Sequence, residues 1–149
     1  RNCGYLALMS GIAGGVEFII VPEFPVNLED VSNKLKQGYQ RGKTHCIVMV
    51  AEGAGDVYKI GKLMEDNIGF EMRVTVLGYL QRGGFPSAFD RILASRLGAA
   101  AIEQLLKNKD HHMIGLIGNK IKTITIAEAL SKKNQLQKSM YELAGILAQ

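Results

Sequence analysis

The sequence predicts an α/β layer fold with a mainly parallel sheet and right-handed crossovers, and three observations carry that expectation. Apolar runs of strand length alternate with helical stripes over most of the 149 residues. One run, His45-Cys-Ile-Val-Met-Val-Ala51, is continuously apolar, as expected of a strand covered on both faces. Finally, Arg73 to Arg91 passes from a strand period to a helical one across a glycine loop, the order of a βα unit.

Taken in order, residues 2 to 14 set Gly4, Ala7, Gly11 and Gly14 among Leu6, Leu8 and Ile12. Each glycine costs a helix about 1 kcal/mol against alanine, so close approach to chain or ligand is the expected compensation. Glu17-Phe-Ile-Ile-Val21, ended by Pro22, reads as a buried strand. Asn27 caps a helix whose Leu28, Val31 and Leu35 form one stripe and which Gly42 stops, with Arg41, Lys43 and His45 clustered at its end. After the apolar run, in which Cys46 is expected to be a buried thiol, comes Glu52-Gly-Ala-Gly55. A carboxylate at the carboxyl end of such a strand lies where open α/β sheets bind ligands. The next helix carries Ile60, Leu63, Met64 and Ile68, with Gly69 as its stop.

Val74, Val76 and Leu80 alternate with Arg73, Thr75 and Tyr79, the pattern of a two-faced strand. From Ser87 the stripe is Phe89, Ile92, Leu93 and Leu97, with Ser87 and Asp90 as an N-terminal cap, and this helix is expected to reach about Lys107 before Asn108-Lys-Asp110 breaks it. Met113 to Ile117 and Lys120 to Ile124 form a hairpin around Gly118-Asn119. Thr125 and Glu128 suggest a capping box for a short helix, and Met140 to Leu147 a terminal one. No internal repeat, low-complexity linker or domain boundary is visible.

The loop between Tyr79 and Ser87 points backbone N–H groups, and a helix dipole, at whatever lies above the strand end. Arg82 sits in it, Gly83 and Gly84 leave the backbone open to a ligand, and Arg73 and Tyr79 share a strand face. A phosphate or carboxylate site is one reading. A tight turn with solvated arginines is the other, and the residues alone leave both open.

A formal charge of +4 attracts anions, yet the lysines are spread over several helices and no basic stripe is interleaved with aromatics. Small phosphorylated ligands suit this better than nucleic acid. Cys3 and Cys46 have no C-x-x-C partner, so neither a disulfide framework nor a zinc site is indicated. Adjacent His111 and His112 point apart, a poor metal pair, and read as exposed loop histidines. With no apolar run near the ~20 residues of a membrane span and no visible leader, a cytoplasmic protein is expected. The start on Arg1, with a helical stretch almost at once, suggests half of a longer protein.

Arg1-Asn-Cys-Gly, Ala13-Gly-Gly-Val-Glu17, Val50-Ala-Glu-Gly53, Arg73-Val-Thr-Val-Leu-Gly78 and Gln81-Arg-Gly-Gly84, in that order, resemble the C-terminal half of bacterial ATP-dependent 6-phosphofructokinase over the whole chain. The combination is specific, whereas each motif alone is weak. The resemblance implies a three-layer sandwich, the second domain of that enzyme, with residues 1-149 as its substrate- and effector-binding half and the ATP-binding half absent. The intact enzyme moves the γ-phosphoryl group of ATP, with Mg2+, to the 1-hydroxyl of fructose 6-phosphate in glycolysis. The fragment alone is expected to be inactive, because no nucleotide loop, magnesium carboxylate or base aspartate can be placed in it.

By the same resemblance Arg1, ending a Met-Gly-Arg substrate motif, lies nearest the transferred phosphoryl group and has a catalytic role. Glu52 binds sugar hydroxyls, and Arg73 and Arg82 grip the 6-phosphate with planar forks, Arg73 reaching into a neighbouring subunit's site. Tyr79 departs from the histidine of many relatives but can still donate to a phosphate or hydroxyl. Gly15, Val16 and Glu17 resemble the turn of the allosteric site, where ADP activates and phosphoenolpyruvate inhibits. Glu17 there is a ligand for effector-bound magnesium. Arg41, Lys43 and His45 resemble its basic arm, with Thr44 where relatives often have a further lysine. Read without the resemblance, Glu17 is a strand-start residue and Arg41 and Lys43 compensate a helix dipole. The implied assembly is a homotetramer. Two rivals stand beside this: a pyrophosphate-dependent relative, and a non-catalytic sugar-phosphate-binding domain.

Overall fold

The computed structural model of the chain describes residues 2–107, 111–131 and 135–147. In chain order the elements are α1 (Tyr5–Gly14), β1 (Phe18–Ile20), α2 (Leu28–Gln40), β2 (Val48–Val50), α3 (Val57–Ile68), α4 (Ala88–Leu106), β3 (His112–Ile117), β4 (Lys120–Thr125), α5 (Ile126–Ser131) and α6 (Lys138–Leu147). Short 3-10 turns occupy Glu52–Ala54 and Gly78–Gln81. The chain divides into two compact units, Arg1–Val76 with Gln135–Gln149, and Leu77–Asn134.

The first unit is a three-layer α/β arrangement, as the sequence predicts. β1 and β2 pair in parallel, Phe18 opposite Val48 and Ile20 opposite Val50. Because strand side chains alternate, successive residues serve different cores. Ile19, Val21 and Ala51 join Leu8 of α1 and Leu136, with Tyr141 of α6 packed against them. Ile20 joins Val31 and Leu35 of α2 and Ile60, Met64 and Ile68 of α3. The stripes expected from the sequence are thus the buried ones, except that Leu28 is half-buried and Leu63 exposed. Asn27 Oδ1 accepts the Glu29 N–H at 2.9 Å, which fixes the start of α2, and Gly69 closes α3 with φ 84°.

The glycines of α1 do approach the chain. A Cβ on Gly4 would overlap the Val21 side chain, and one on Gly11 would lie 2.6 Å from Ile19 Cδ1. This lets α1 lie against β1 itself, so the compensation expected for weak helix formers is backbone-to-strand packing.

Two sequence expectations need correcting here. The apolar run 45–51 pairs only over Val48–Val50. Residues 71–77 belong to no strand ladder among the described residues, Leu77 already has helical dihedrals (φ −65°, ψ −32°), and Gly78–Gln81 forms a 3-10 helix. The cause is docking onto a helix. Glu65 Oε2 accepts the Met72 N–H at 3.0 Å, and Val74 lies so close to Gly61 that a Cβ there would come within 2.9 Å of its Cγ2. Alternation recorded a segment with two unlike faces, but one of them is spent on α3.

In the second unit α4 opens with a complete capping box: Ser87 Oγ accepts the Asp90 N–H at 3.2 Å and Asp90 Oδ2 accepts the Ser87 N–H at 2.8 Å. β3 and β4 pair antiparallel around Gly118 and Asn119, whose φ values of 51° and 62° are those of a tight hairpin turn. Arg96 of α4 clamps that turn, donating from Nη1 to Asn119 Oδ1 at 3.0 Å and from Nη2 to the Asn119 carbonyl at 2.8 Å. At α5, Thr125 Oγ1 accepts the Glu128 N–H at 3.1 Å. No residue of α4 is buried; Leu93 and Leu97 of the expected stripe are half-covered, while Phe89 and Ile92 are 65% and 61% exposed. The 108–110 segment expected to break this helix lies outside the described residues.

Candidate functional site

Gly15, Val16, Glu17 and the segment from Arg41 to His45 all belong to the first unit. Gly15 ends α1 in the left-handed region, φ 64°, and its N–H reaches the Ile12 carbonyl, while the Val16 N–H returns to Gly11 and the Val16 side chain enters the core. This turn delivers Glu17 to the start of β1. There the Glu17 N–H donates to the Ile47 carbonyl at 3.0 Å, and its Oε2 accepts the Ile47 N–H at 2.8 Å. Residues thirty positions apart in sequence are therefore bonded to one another. The arm from Arg41 to His45 is exposed. It leaves α2 through Gly42, φ 95°, and the Lys43 N–H folds back to Gly38 at 3.1 Å. Thr44 Oγ1 lies 3.4 Å from His45 Nδ1, a contact a lysine could not make with the same geometry.

Cys46, expected to be buried, is an exposed residue. Its apolar run begins pairing only two residues later, so the strand does not carry it inside. Its thiol is nevertheless pushed up to about 11, by desolvation first and then by the Glu17 carboxylate, which is also its hydrogen-bond partner; the Lys43 charge opposes this. Glu17 and Lys43 thus both lie close enough to act on the Cys46 thiol.

Glu52 stands exposed at the carboxyl end of β2 and opens the 3-10 turn there. Beside that turn a cavity of about 360 Å3 runs from Gly53 and Gly55 to Pro22 and Val26, with Asp56 and Lys59 on its wall. A crevice at the carboxyl end of a parallel pair is the expected place for a ligand. Arg73 is exposed, its Nε 3.2 Å from Glu71 Oε1. An exposed pair of that kind is worth little, so the guanidinium stays available to a stronger anion.

Tyr79 and Arg82 belong to the second unit. The Arg82 guanidinium lies 5.6 Å from the centre of the Tyr79 ring, a cation–π contact that orients the fork without consuming its N–H donors. Gly78, Gly83 and Gly84 have φ of 53°, 87° and 110°, so the loop that follows depends on glycine for its path. Arg1 lies outside the described residues. His111 is exposed with φ 54°, whereas His112 is part of β3 and half-buried, so only one of the two is the loop histidine expected.

Among the described residues no group of three His, Cys, Asp or Glu side chains could hold a metal. A residue not singled out in the sequence is Glu23, whose carboxylate bonds the start of α1. The signal was there: like Glu52, it is an acid just past the carboxyl end of a strand.

No helix among the described residues is long and apolar enough to cross a membrane. Residues 1–105 match the family described as Phosphofructokinase. Over 99% of its length the chain is 49% identical to ATP-dependent 6-phosphofructokinase of Halothermothrix orenii, of which it covers 48%. It is 45% identical over 99% of its length to the enzyme of the same name from Alkaliphilus metalliredigens, covering 46% of it. A crystal structure of Pichia pastoris phosphofructokinase in the T-state superimposes with a TM-score of 0.73 at 35% identity, over 88% of this chain and 15% of that one. The chain thus spans about half the length of the curated relatives it matches.

Proposed function

Because this chain belongs to the phosphofructokinase family, we propose that it is the sugar-phosphate- and effector-binding half of a glycolytic ATP-dependent 6-phosphofructokinase. The observation that carries the reading is the Arg82 loop. It presents a guanidinium stacked on Tyr79 ahead of two open glycine positions and a helix N-terminus, in a chain whose curated relatives bear that enzyme's name. Arg82 and Arg73 hold the 6-phosphate, Arg73 that of a neighbouring subunit in a cytoplasmic homotetramer. Tyr79 donates its hydroxyl to the sugar phosphate, and Glu52 accepts from the sugar hydroxyls. Arg1 steadies the charge on the transferring phosphoryl group. ATP with its Mg2+ is held by the other half of the enzyme, so this chain's share of catalysis is positioning.

The turn Gly15–Glu17 and the arm Arg41–His45 form the effector site, for ADP or phosphoenolpyruvate. Its support is the pair of hydrogen bonds between Glu17 and Ile47, which ties the turn to the chain just after the arm. Glu17 would offer a carboxylate oxygen to the magnesium of a bound nucleotide, and Arg41, Lys43 and His45 would meet the charge of its phosphates.

The test is direct titration with fructose 6-phosphate. Arg82→Ala should weaken binding by about 10- to 100-fold, as expected for charge-assisted bonds of ~1.5–3 kcal/mol. Equal affinity in the variant overturns the assignment. The purified fragment should form no fructose 1,6-bisphosphate, and measurable product overturns the division of labour.

A further inference from the structure

We propose that Glu65 is a positioning residue for Arg73: its carboxylate, together with the notch at Gly61, locks the register of residues 72–74 on α3 and so presents the Arg73 guanidinium outward at a fixed point, ready for the 6-phosphate. The inference rests on the assignment of Arg73 to that phosphate.

Residues 71–75 have no strand partner among the described residues, so no ladder of backbone bonds sets which of their side chains turn outward. The choice is nevertheless sharp. Met72 and Val74 are half-buried, while Glu71, Arg73 and Thr75 are exposed. Two contacts with α3 make that choice. Glu65 Oε2 accepts the Met72 N–H at 3.0 Å, and the Met72 side chain packs against the core of Ile60, Met64 and Ile68. One helical turn earlier, Gly61 leaves the space beside Val74, since a Cβ there would come within 2.9 Å of Val74 Cγ2. Gly61 and Glu65 are four residues apart and therefore share a face of α3. They hold the residues on either side of Arg73. A slip by one residue would turn the guanidinium onto that apolar face and push Met72 and Val74 into water, so the register is set against a charge that cannot be buried unpaired.

Glu65 is itself held. Its Oε1 lies 3.3 Å from Lys62 Nζ, and its backbone carbonyl accepts the Gly69 N–H at 2.8 Å where α3 closes. The two carboxylate oxygens thus have separate duties, one toward the helix and one toward Met72. The Met72 N–H first, and the Lys62 ammonium second, hold the Glu65 carboxyl below its ordinary value, so both bonds are made to the ionised form. On the outward side Glu71 Oε1 accepts from Arg73 Nε at 3.2 Å. A planar fork grips a phosphate well only when the backbone beneath it is fixed, and here that fixing comes from α3.

The test uses the full-length enzyme that contains this chain and compares wild type with Glu65→Ala, Glu65→Gln, Arg73→Ala and the double variant Glu65→Ala with Arg73→Ala. Glu65→Ala should raise the KM for fructose 6-phosphate about tenfold, on the scale of one charge-assisted bond, and leave the KM for ATP unchanged. Glu65→Gln keeps an oxygen for the Met72 N–H and should recover part of that loss, with a thermal midpoint near wild type. Because Glu65 acts through Arg73, the double variant should be no worse than Arg73→Ala alone. A KM for fructose 6-phosphate within about twofold of wild type in Glu65→Ala overturns the proposal. So does a Glu65→Ala effect that adds in full to that of Arg73→Ala, or one that raises both KM values alike, since either marks a residue serving the fold at large. If Arg73→Ala itself leaves the KM for fructose 6-phosphate unchanged, the assignment of Arg73 falls first and this inference with it.

Discussion

Thiol chemistry at Cys46 tests the Glu17 cluster at the level of a single atom. An ordinary thiol here would titrate at 9.0, whereas desolvation and the Glu17 carboxylate push this one to about 11. At pH 8 that leaves about a hundredfold less thiolate, roughly 0.1% rather than 10%. Intrinsic nucleophilicity rises with basicity, with a slope of about 0.4–0.5, and restores a factor of about eight. Iodoacetamide should therefore alkylate Cys46 about tenfold more slowly than an unstructured peptide of the same local sequence. Rates followed by mass spectrometry from pH 7 to 12 should show a midpoint near 11 in the folded protein. Glu17→Gln removes the carboxylate's charge and leaves desolvation and Lys43, so the midpoint should fall and the pH 8 rate rise. A wild-type midpoint at or below 9.0, or one that Glu17→Gln leaves in place, refutes the placement of Glu17 against this thiol.

The linkage has a sign that can be checked separately. The folded protein keeps the Cys46 proton longer than the unfolded chain does, so stability should decline as pH rises from 9.0 through about 11. Glu23, Glu65 and Asp90 run the other way. Their carboxyls are lowered in the folded state, so the stability they contribute is present above the ordinary values of 4.5, 4.5 and 3.8 and is lost as pH falls through the folded ones. Acid titration followed by circular dichroism should show unfolding below pH ~4, moved toward neutrality in Glu23→Ala; an unmoved transition counts against the bond of Glu23 to the Gly4 N–H. Gly11→Ala should lower stability by about 1–3 kcal/mol in thermal melts, because its methyl would sit 2.6 Å from Ile19 Cδ1 in a packed layer; a stabilised variant would show that α1 does not lie on β1. Asn27→Ala should cost about 1 kcal/mol through the lost bond to the Glu29 N–H, with no effect on fructose 6-phosphate binding.

Residue order carried a good deal of this. The stripes Val31 and Leu35, and Ile60, Met64 and Ile68, named the faces that α2 and α3 bury, because a helix returns to the same side every three or four residues. Asn27, Ser87, Gly69 and the Gly118-Asn119 turn announced element ends through chemistry local to a few residues, and each end lies where those residues place it. Local signals failed where the deciding partner was distant. Alternation in Arg73–Leu80 could not disclose that Met72 and Val74 lean on α3, nor could an apolar run disclose that pairing begins only at Val48 and leaves Cys46 outside.

The site divides along the same line. That Glu52 follows a strand, that Arg82 shares a loop with two glycines and that Arg41 to His45 end a helix are facts of chain order. Tertiary contact alone set Glu17 on the Ile47 backbone and brought Glu23 to the first turn of α1, whereas Arg82 lies on the ring of Tyr79 only three residues before it. Hydrogen bonds and charge interactions act over a few ångströms of space, while helix caps, turns and amphipathic periods act over a few residues of chain. The second kind is legible in a sequence and the first appears only once the chain has closed on itself.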